Sequence, residues 1–382
     1  MPPRQFSLTD SASSVFRALV AGGASTRPQL GQGLKLSRPT MSAAIADLTE
    51  AGLVEAIGSI QGATGRSAVE YRVAASAGYV LAIDAGSTHV RLRLSSLDRR
   101  LLHSSRYELA EAQVSLTPQI STVVAQAVSE ALAVTRAEWG QLAAMAIALP
   151  TRVTGPEGDV AATRQEVIYS NFTPPPGVDV ILMNNVNCAA VAEYHYGAAQ
   201  REHTFAFLQI GVKIGLGLML GGQVLRGVNG AAGEIGHISY PFAPGVKPVS
   251  GQIERYMGTE GFMERTRTNW APTAGTPPKT TYELFERAER GDDEARRHVE
   301  AHAEDIGAVI ATCVSVFDPG LVVLGGGYGA SPLLRPKVEE VVKALAFPVN
   351  ITTSTLADEA TVLGAERLAI ESAIAALLGT SS

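Results

Sequence analysis

Apolar residues at Val15, Phe16, Leu19 and Val20 recur at helical spacing and predict a helix over 11–21. Gly22-Gly23 ends it. Ser25 is expected to cap a second, short helix over 26–34, and Ser37 a third, with Pro39 in the first turn, where a missing N–H costs little. The third helix carries Met41, Ile45 and Leu48 inward and stops at Gly52. The runs LVEAIG and VEYRV then alternate around the Gly-rich stretch 58–67 and predict two strands with a turn between them. The pattern over 1–75 is three helices and a β-hairpin, a winged helix-turn-helix.

The rest of the chain changes character. After the small, featureless stretch 74–78, taken as the domain boundary, YVLAIDAG, VRLRLSSL and LLHSSRYEL follow at hairpin distances. A helical stretch over about 117–135 comes next, then the apolar strand LAAMAIALP. This β-β-β-α-β order predicts a ribonuclease-H-like lobe. A second strand-rich region follows: DVILM, FAFLQIG, IGLGLML and LVVLGGGYG, with a closing apolar helix over 360–379. The expected architecture is α/β: a two-lobed body over 78–382, preceded by the helical head. One lobe takes 78–183 and the closing helix, the other 184–359.

Charge sharpens the division. The chain has a formal net charge of −6, which by itself argues against a nucleic-acid partner. Residues 1–75 nevertheless hold seven Lys/Arg against five Asp/Glu. A small basic head on an acidic body fits a reader of DNA. The third helix opens with Ser37, Arg38, Thr40 and Ser42, short or basic side chains that can reach base edges and phosphates in the major groove. Arg66 sits at the expected wing tip, where a guanidinium can meet a phosphate or the minor groove. Solvated charge and a small protein-contact domain are the plainer alternatives. The two cysteines, Cys188 and Cys313, lie far apart, so no disulfide framework is expected. No apolar run reaches membrane-spanning length, and the first residues lack the basic-then-apolar order of a signal peptide. A cytoplasmic protein without a membrane partner is expected.

Candidate chemistry gathers at the strand ends. Asp84, Gly86 and Thr88 lie in a turn that can offer backbone N–H groups to a phosphate, with Asp84 able to hold a cation; a plain β-turn fits as well. Gly325, Gly326 and Gly327 follow an apolar strand and form a second candidate nucleotide-facing turn. His298 and His302 fall at i, i+4 spacing near Glu294; a solvated helix face explains them without a metal.

The segments DAGST, NNVNCAAVAE, the glycine-rich block ending in GAAGEIGH, GQIE, LGGGYG and LGAERLA resemble, in order, those of the ROK family of repressors and sugar kinases. The resemblance implies a two-lobed sugar-kinase/actin-like body with a sugar-sized cleft. It implies that Asn184, Glu234, His237 and Glu254 bind sugar hydroxyls, which two carboxylates, an imidazole and an amide can do without reaction. It also marks departures. The catalytic Asp of family kinases corresponds to Asn185, and an amide cannot take up the sugar hydroxyl's proton. That base is worth roughly 10²–10⁴-fold in rate. Val212 and Lys213 stand where the family has a Thr and a Gly; a lysine there can bind an anion or form a salt bridge. Pro150-Thr151 stands where a Pro-Gly is usual. The family's zinc cysteines are missing: the aligned Gly245, Lys247 and Gln252 offer no thiolate, and His237 alone cannot hold zinc. The expectation is therefore a DNA-binding transcriptional regulator of carbohydrate metabolism, a repressor without cofactor. Its expected partners are a DNA operator and a small sugar effector, with the chain in a homodimer or tetramer. An ATP-dependent sugar kinase is the alternative.

Overall fold

The computed structural model describes residues 6–61, 67–113, 115–155, 159–238, 245 and 247–379. The head opens with α1 (Asp10–Gly22), capped by the Thr9 hydroxyl on the Ala12 N–H. A two-residue strand β1 (Ser25–Thr26) precedes α2 (Arg27–Leu34). Thr26, not Ser25, caps α2: it exchanges hydrogen bonds with Gln29 in a capping box. Ser25 and Thr26 both pair with the last strand of the head, opposite Tyr71 and Glu70. Helix α3 (Arg38–Glu50) starts at Ser37 as expected, with the Ser37 Oγ accepting from the Thr40 N–H at 3.3 Å. Strands β2 (Val54–Gln61) and β3 (Ser67–Val73) pair antiparallel and form the wing. Arg66, expected at its tip, lies outside the described residues.

Two sheets of the same topology build the body. The first contains β4 (Tyr79–Ala85), β5 (His89–Ser96), β6 (Leu101–Glu108), β7 (Leu142–Leu149) and β8 (Asp179–Asn184), in the order β6-β5-β4-β7-β8. Helix α4 (Pro118–Ala133) crosses between β6 and β7, and the short α5 (Val160–Thr163) lies before β8. Helix α6 (Asn185–Tyr196) leads out of β8. The second sheet contains β9 (Phe205–Ile210), β10 (Ile214–Leu220) and β11 (Gln223–Val224), followed by the helices α7 (Gln252–Met257), α8 (Thr259–Thr268), α9 (Thr281–Glu289) and α10 (Asp293–Phe317). It closes with β12 (Leu321–Gly325), α11 (Arg335–Leu345) and β13 (Asn350–Thr353), in the order β11-β10-β9-β12-β13. In each sheet the first strand is central, an antiparallel meander lies on one side and two parallel strands on the other. The repeat is the two-lobed sugar-kinase/actin-like fold.

Burial follows from that plan. Every residue of β4 is buried, as a central strand covered on both faces must be. One face of the first sheet packs on α4, and α12 (Ala360–Leu378) covers β4 and β7 on the other. Helix α6 lies on β9 and β10 of the second sheet, and it also packs against α12, so these two helices join the lobes. His298 and His302, expected on a solvated face, are both buried. His302 stacks on Phe262 and reaches Tyr328 Oη at 3.2 Å; His298 stacks on Trp270 beside Glu294. The face of α10 they occupy is covered by α7 to α9, which no periodicity within α10 reveals. Among the described residues no helix is long and apolar enough to cross a membrane.

Candidate functional site

The carboxyl ends of β4, β7, β8, β9 and β12 all open into one cleft of about 1070 Å³ between the lobes. Ligands of open α/β sheets bind at such strand ends. Asp84, Gly86, Thr88, Asn184, Asn185, Lys213, Glu234, His237 and Glu254 all line it. Residues up to 170 positions apart in the chain are thus brought to one place.

At the first turn Asp84 has a neighbour within the protein. His89, directly after Thr88, points its Nε2 at the Asp84 carboxylate, 3.6 Å away, and its Nδ1 lies 3.0 Å from the Thr88 hydroxyl. His89 Nε2 is buried without a hydrogen-bond partner. Sequence reasoning passed over His89; its adjacency to the DAGST turn was the available signal. The second turn also differs from expectation. Gly326 and Gly327 line the cleft, but Gly325 does not: it faces the ring of Phe207, where an added Cβ would lie 2.6 Å from the Cε2 atom. Gly326 has a φ of +89° and lies against the Ile210 carbonyl, so the turn requires glycine there.

At the end of β8, Asn184 is committed to structure. Its Oδ1 accepts from the N–H groups of Val186 (2.9 Å) and Asn187 (3.3 Å), and its Nδ2 donates to the Thr151 carbonyl at 3.1 Å. It caps α6, and one N–H of its amide is left for a ligand. Helix α6 starts directly after Asn184. Asn185 is therefore its first residue, with Oδ1 accepting from the Val186 N–H at 3.0 Å. The cleft around Asn185 offers no carboxylate from that position.

The opposite wall is built by the glycine-rich block. Gly233, at φ +82°, presses on the Leu216 carbonyl and thereby presents Glu234 to the cleft. Burial pushes the Glu234 carboxyl above its ordinary value, opposed by the nearby His237 and Arg152. His237 Nδ1 lies 3.0 Å from Ser250 Oγ, which orients the ring. Glu254, from α7, packs on Gly236 and pairs with Lys213 Nζ at 3.6 Å. The lysine in the β9–β10 turn thus leans into the carboxylate set. Arg152, Glu286, Glu289 and Asp358 also line the cleft and carried no sequence signal. Asp358 is held by Arg91 and Arg106.

These donors do not suit the cofactors of the fold's kinases. The positions around His237 supply a hydroxyl and a carboxylate but no thiolate, and a structural zinc needs about four N/S ligands. Among the described residues no group of three or more His, Cys, Asp or Glu could hold a metal. Asn185 brings an amide to the cleft, and Lys213 an ammonium paired with Glu254.

The two-lobed body with its interlobe cleft is the sugar-kinase type of fold. Residues 80–372 match the ROK family model, and the chain belongs to the ROK family. Among curated proteins it is 29% identical over 311 residues to the bifunctional enzyme NanE/NanK of Brucella melitensis, a match covering 76% of this chain. The chain spans about half the length of that enzyme, 54%. It is 21% identical over 377 residues to the xylose repressor of Caldicellulosiruptor bescii, with 92% of each chain covered. A solved ROK family transcriptional regulator, described as a homolog of the E. coli MLC protein, superposes with a TM-score of 0.73 at 20% identity over 96% of each chain. That likeness extends the shared fold over the head.

Proposed function

We propose that the protein is a transcriptional repressor of carbohydrate metabolism whose cleft binds a sugar without phosphorylating it. Residues 1–75 act as the DNA-binding unit and 78–382 as the sensor. The observation that carries this reading is Asn185 at the start of α6, in a cleft that also holds Glu234, His237 and Glu254. A polyol is gripped, and no carboxylate at that position takes its proton. The near full-length match to a xylose repressor, head included, supports the regulatory half.

The head supplies the contacts. Arg38 and Ser42 are exposed on the first turns of α3, free to meet base edges or phosphates. Ser37 and Thr40 bond each other at 2.7 Å and fix the start of the helix. Arg66 belongs to the same proposal from its sequence position. Two copies related by a two-fold axis bind a pseudo-palindromic operator. Sugar shifts DNA affinity only if it binds the two conformations unequally. The sensor works in the cytoplasm and without metal or nucleotide.

Two measurements test this. DNA selected from a random pool by the full chain should bind it and be released by a sugar; the Arg38→Ala variant should lose that binding while keeping the sugar-induced rise in melting temperature. In parallel, a coupled assay with ATP and magnesium over a hexose panel should give no turnover. Clear turnover establishes the kinase instead.

A further inference from the structure

The stretch 74–78 reads in the sequence as a featureless linker, and linked domains move independently unless a large apolar interface joins them. Here the buried core runs on across that boundary. Val15, Phe16, Leu19 and Leu48 of the head share one continuous buried cluster with Val80 and Ala82 of β4 and with Ile370, Ile374 and Leu377 of α12. The linker is itself packed. Ala74 is buried and donates its N–H to the Leu53 carbonyl at 2.9 Å, and Ala75–Ala77 form a 3-10 turn. Gly140 lies so close to the linker that an added Cβ would sit 2.4 Å from the Ser76 carbonyl oxygen.

Two further ties bind head to body. The Phe6 N–H donates to the Leu377 carbonyl at 3.0 Å, at the last turn of α12. Arg100, in the β5–β6 turn, donates to the Val73 carbonyl at 3.1 Å, at the end of the wing. The same turn grips α12: Arg99 Nε lies 3.1 Å from the fully buried Glu366, which also receives Arg93 at 2.7 Å. At its other end α12 starts in the cleft, where Ala360 and Thr361 line the wall. One turn further on, Gly364 meets α6: a Cβ there would lie 1.8 Å from the Cys188 carbonyl oxygen. Helix α6 is the one that Asn184 and Asn185 begin.

We infer that the head and the first lobe form a single rigid body, with α12 as a strut of about 28 Å running from the cleft to the head. Movement of the second lobe against the α6–α12 contact then swings the head as a unit; no linker has to loosen. For its use in regulation this rests on the reading above. The rigidity itself does not, and its test needs neither sugar nor DNA.

Native-state hydrogen exchange on the full chain, followed across sub-denaturing guanidinium, reads the cooperative units directly. Amides of α1 and of β4 should open in the same unit, with protection factors within about tenfold of each other. A head that exchanges a hundredfold or more ahead of β4 overturns the inference, whatever the fate of the regulatory reading. The paired variant Arg100→Ala, Leu377→Ala should speed exchange in α1 at least tenfold while leaving β9 unchanged. Unaltered α1 exchange in that variant also overturns it. If the variant does not fold, the unmodified chain still decides.

Discussion

Two sets of residues in the cleft contrast with each other. Glu234, His237 and Glu254 turn two carboxylates and an imidazole to the cleft, the set proposed to hold sugar hydroxyls. Asp84, Asn185 and Lys213 stand where the proposed reading sets the lost parts of phosphoryl transfer. Asn185 is an amide inside a helix turn, Lys213 is tied to Glu254, and Asp84 faces His89. Binding and chemistry ask different things of a site. Binding needs donors and acceptors at fixed places, whereas phosphoryl transfer needs in addition a base and an open phosphate cradle. One half of the demand can persist without the other.

The sharpest way to break this contrast is to rebuild the second set. Asn185→Asp combined with Val212→Thr and Lys213→Gly should raise ATP-dependent hexose phosphorylation by roughly 10²–10⁴-fold over the unmodified chain, the range a positioned base supplies. A triple variant as silent as its parent would mean that the loss lies elsewhere, with His89 beside Asp84 the next residue to change. The second-largest effect falls on the proposed sugar set. Removing the carboxylate in Glu234→Ala should weaken sugar binding by roughly 10- to 150-fold, the value of a hydrogen bond to a charged group, read by calorimetric titration.

Glu234 also separates binding from stability. Burial raises its folded-state value above the unfolded one, so between the two the folded chain holds more protons. Stability from this group is therefore greatest below its unfolded value and falls as pH rises toward the folded value. Glu234→Gln should flatten that slope and stabilise the ligand-free chain at neutral pH by about 0.5–2 kcal/mol, at a cost in sugar affinity. Thermal unfolding followed from pH 4 to 7 checks both. The smallest effect is expected at Lys213. Its pair with Glu254 is partly exposed and 3.6 Å long, so Lys213→Ala alone should change stability by no more than about 1 kcal/mol. A large loss of sugar affinity in that variant would show the ammonium to be part of the grip.

Much of this was legible along the chain. Helical spacing over 11–21 and around Met41, Ile45 and Leu48 placed the head's helices within a residue or two. The cap at Ser37 was right because capping depends on a few neighbouring atoms. The cap at Ser25 fell one residue early: Thr26 caps α2, in a reciprocal box with Gln29, although both residues pair with β3. Glycine spacing flagged the turns at 325–327 but not which glycine faces the cleft; the ring of Phe207, from another strand, decides that.

The sequence by itself determined which chemical groups exist: an amide at 185, a lysine at 213, two carboxylates and an imidazole in family order, and a short basic-polar start to the third helix. Those are matters of composition at a position, and folding cannot alter them. Only the tertiary structure decided what each group faces. It set His89 against Asp84, spent the Asn184 amide on a helix cap, buried His298 and His302, and welded the head to α12 through a shared core. The reason is range. Hydrophobic burial and charge pairing act between side chains near in space, and nearness across a hundred residues or more is written in no local pattern.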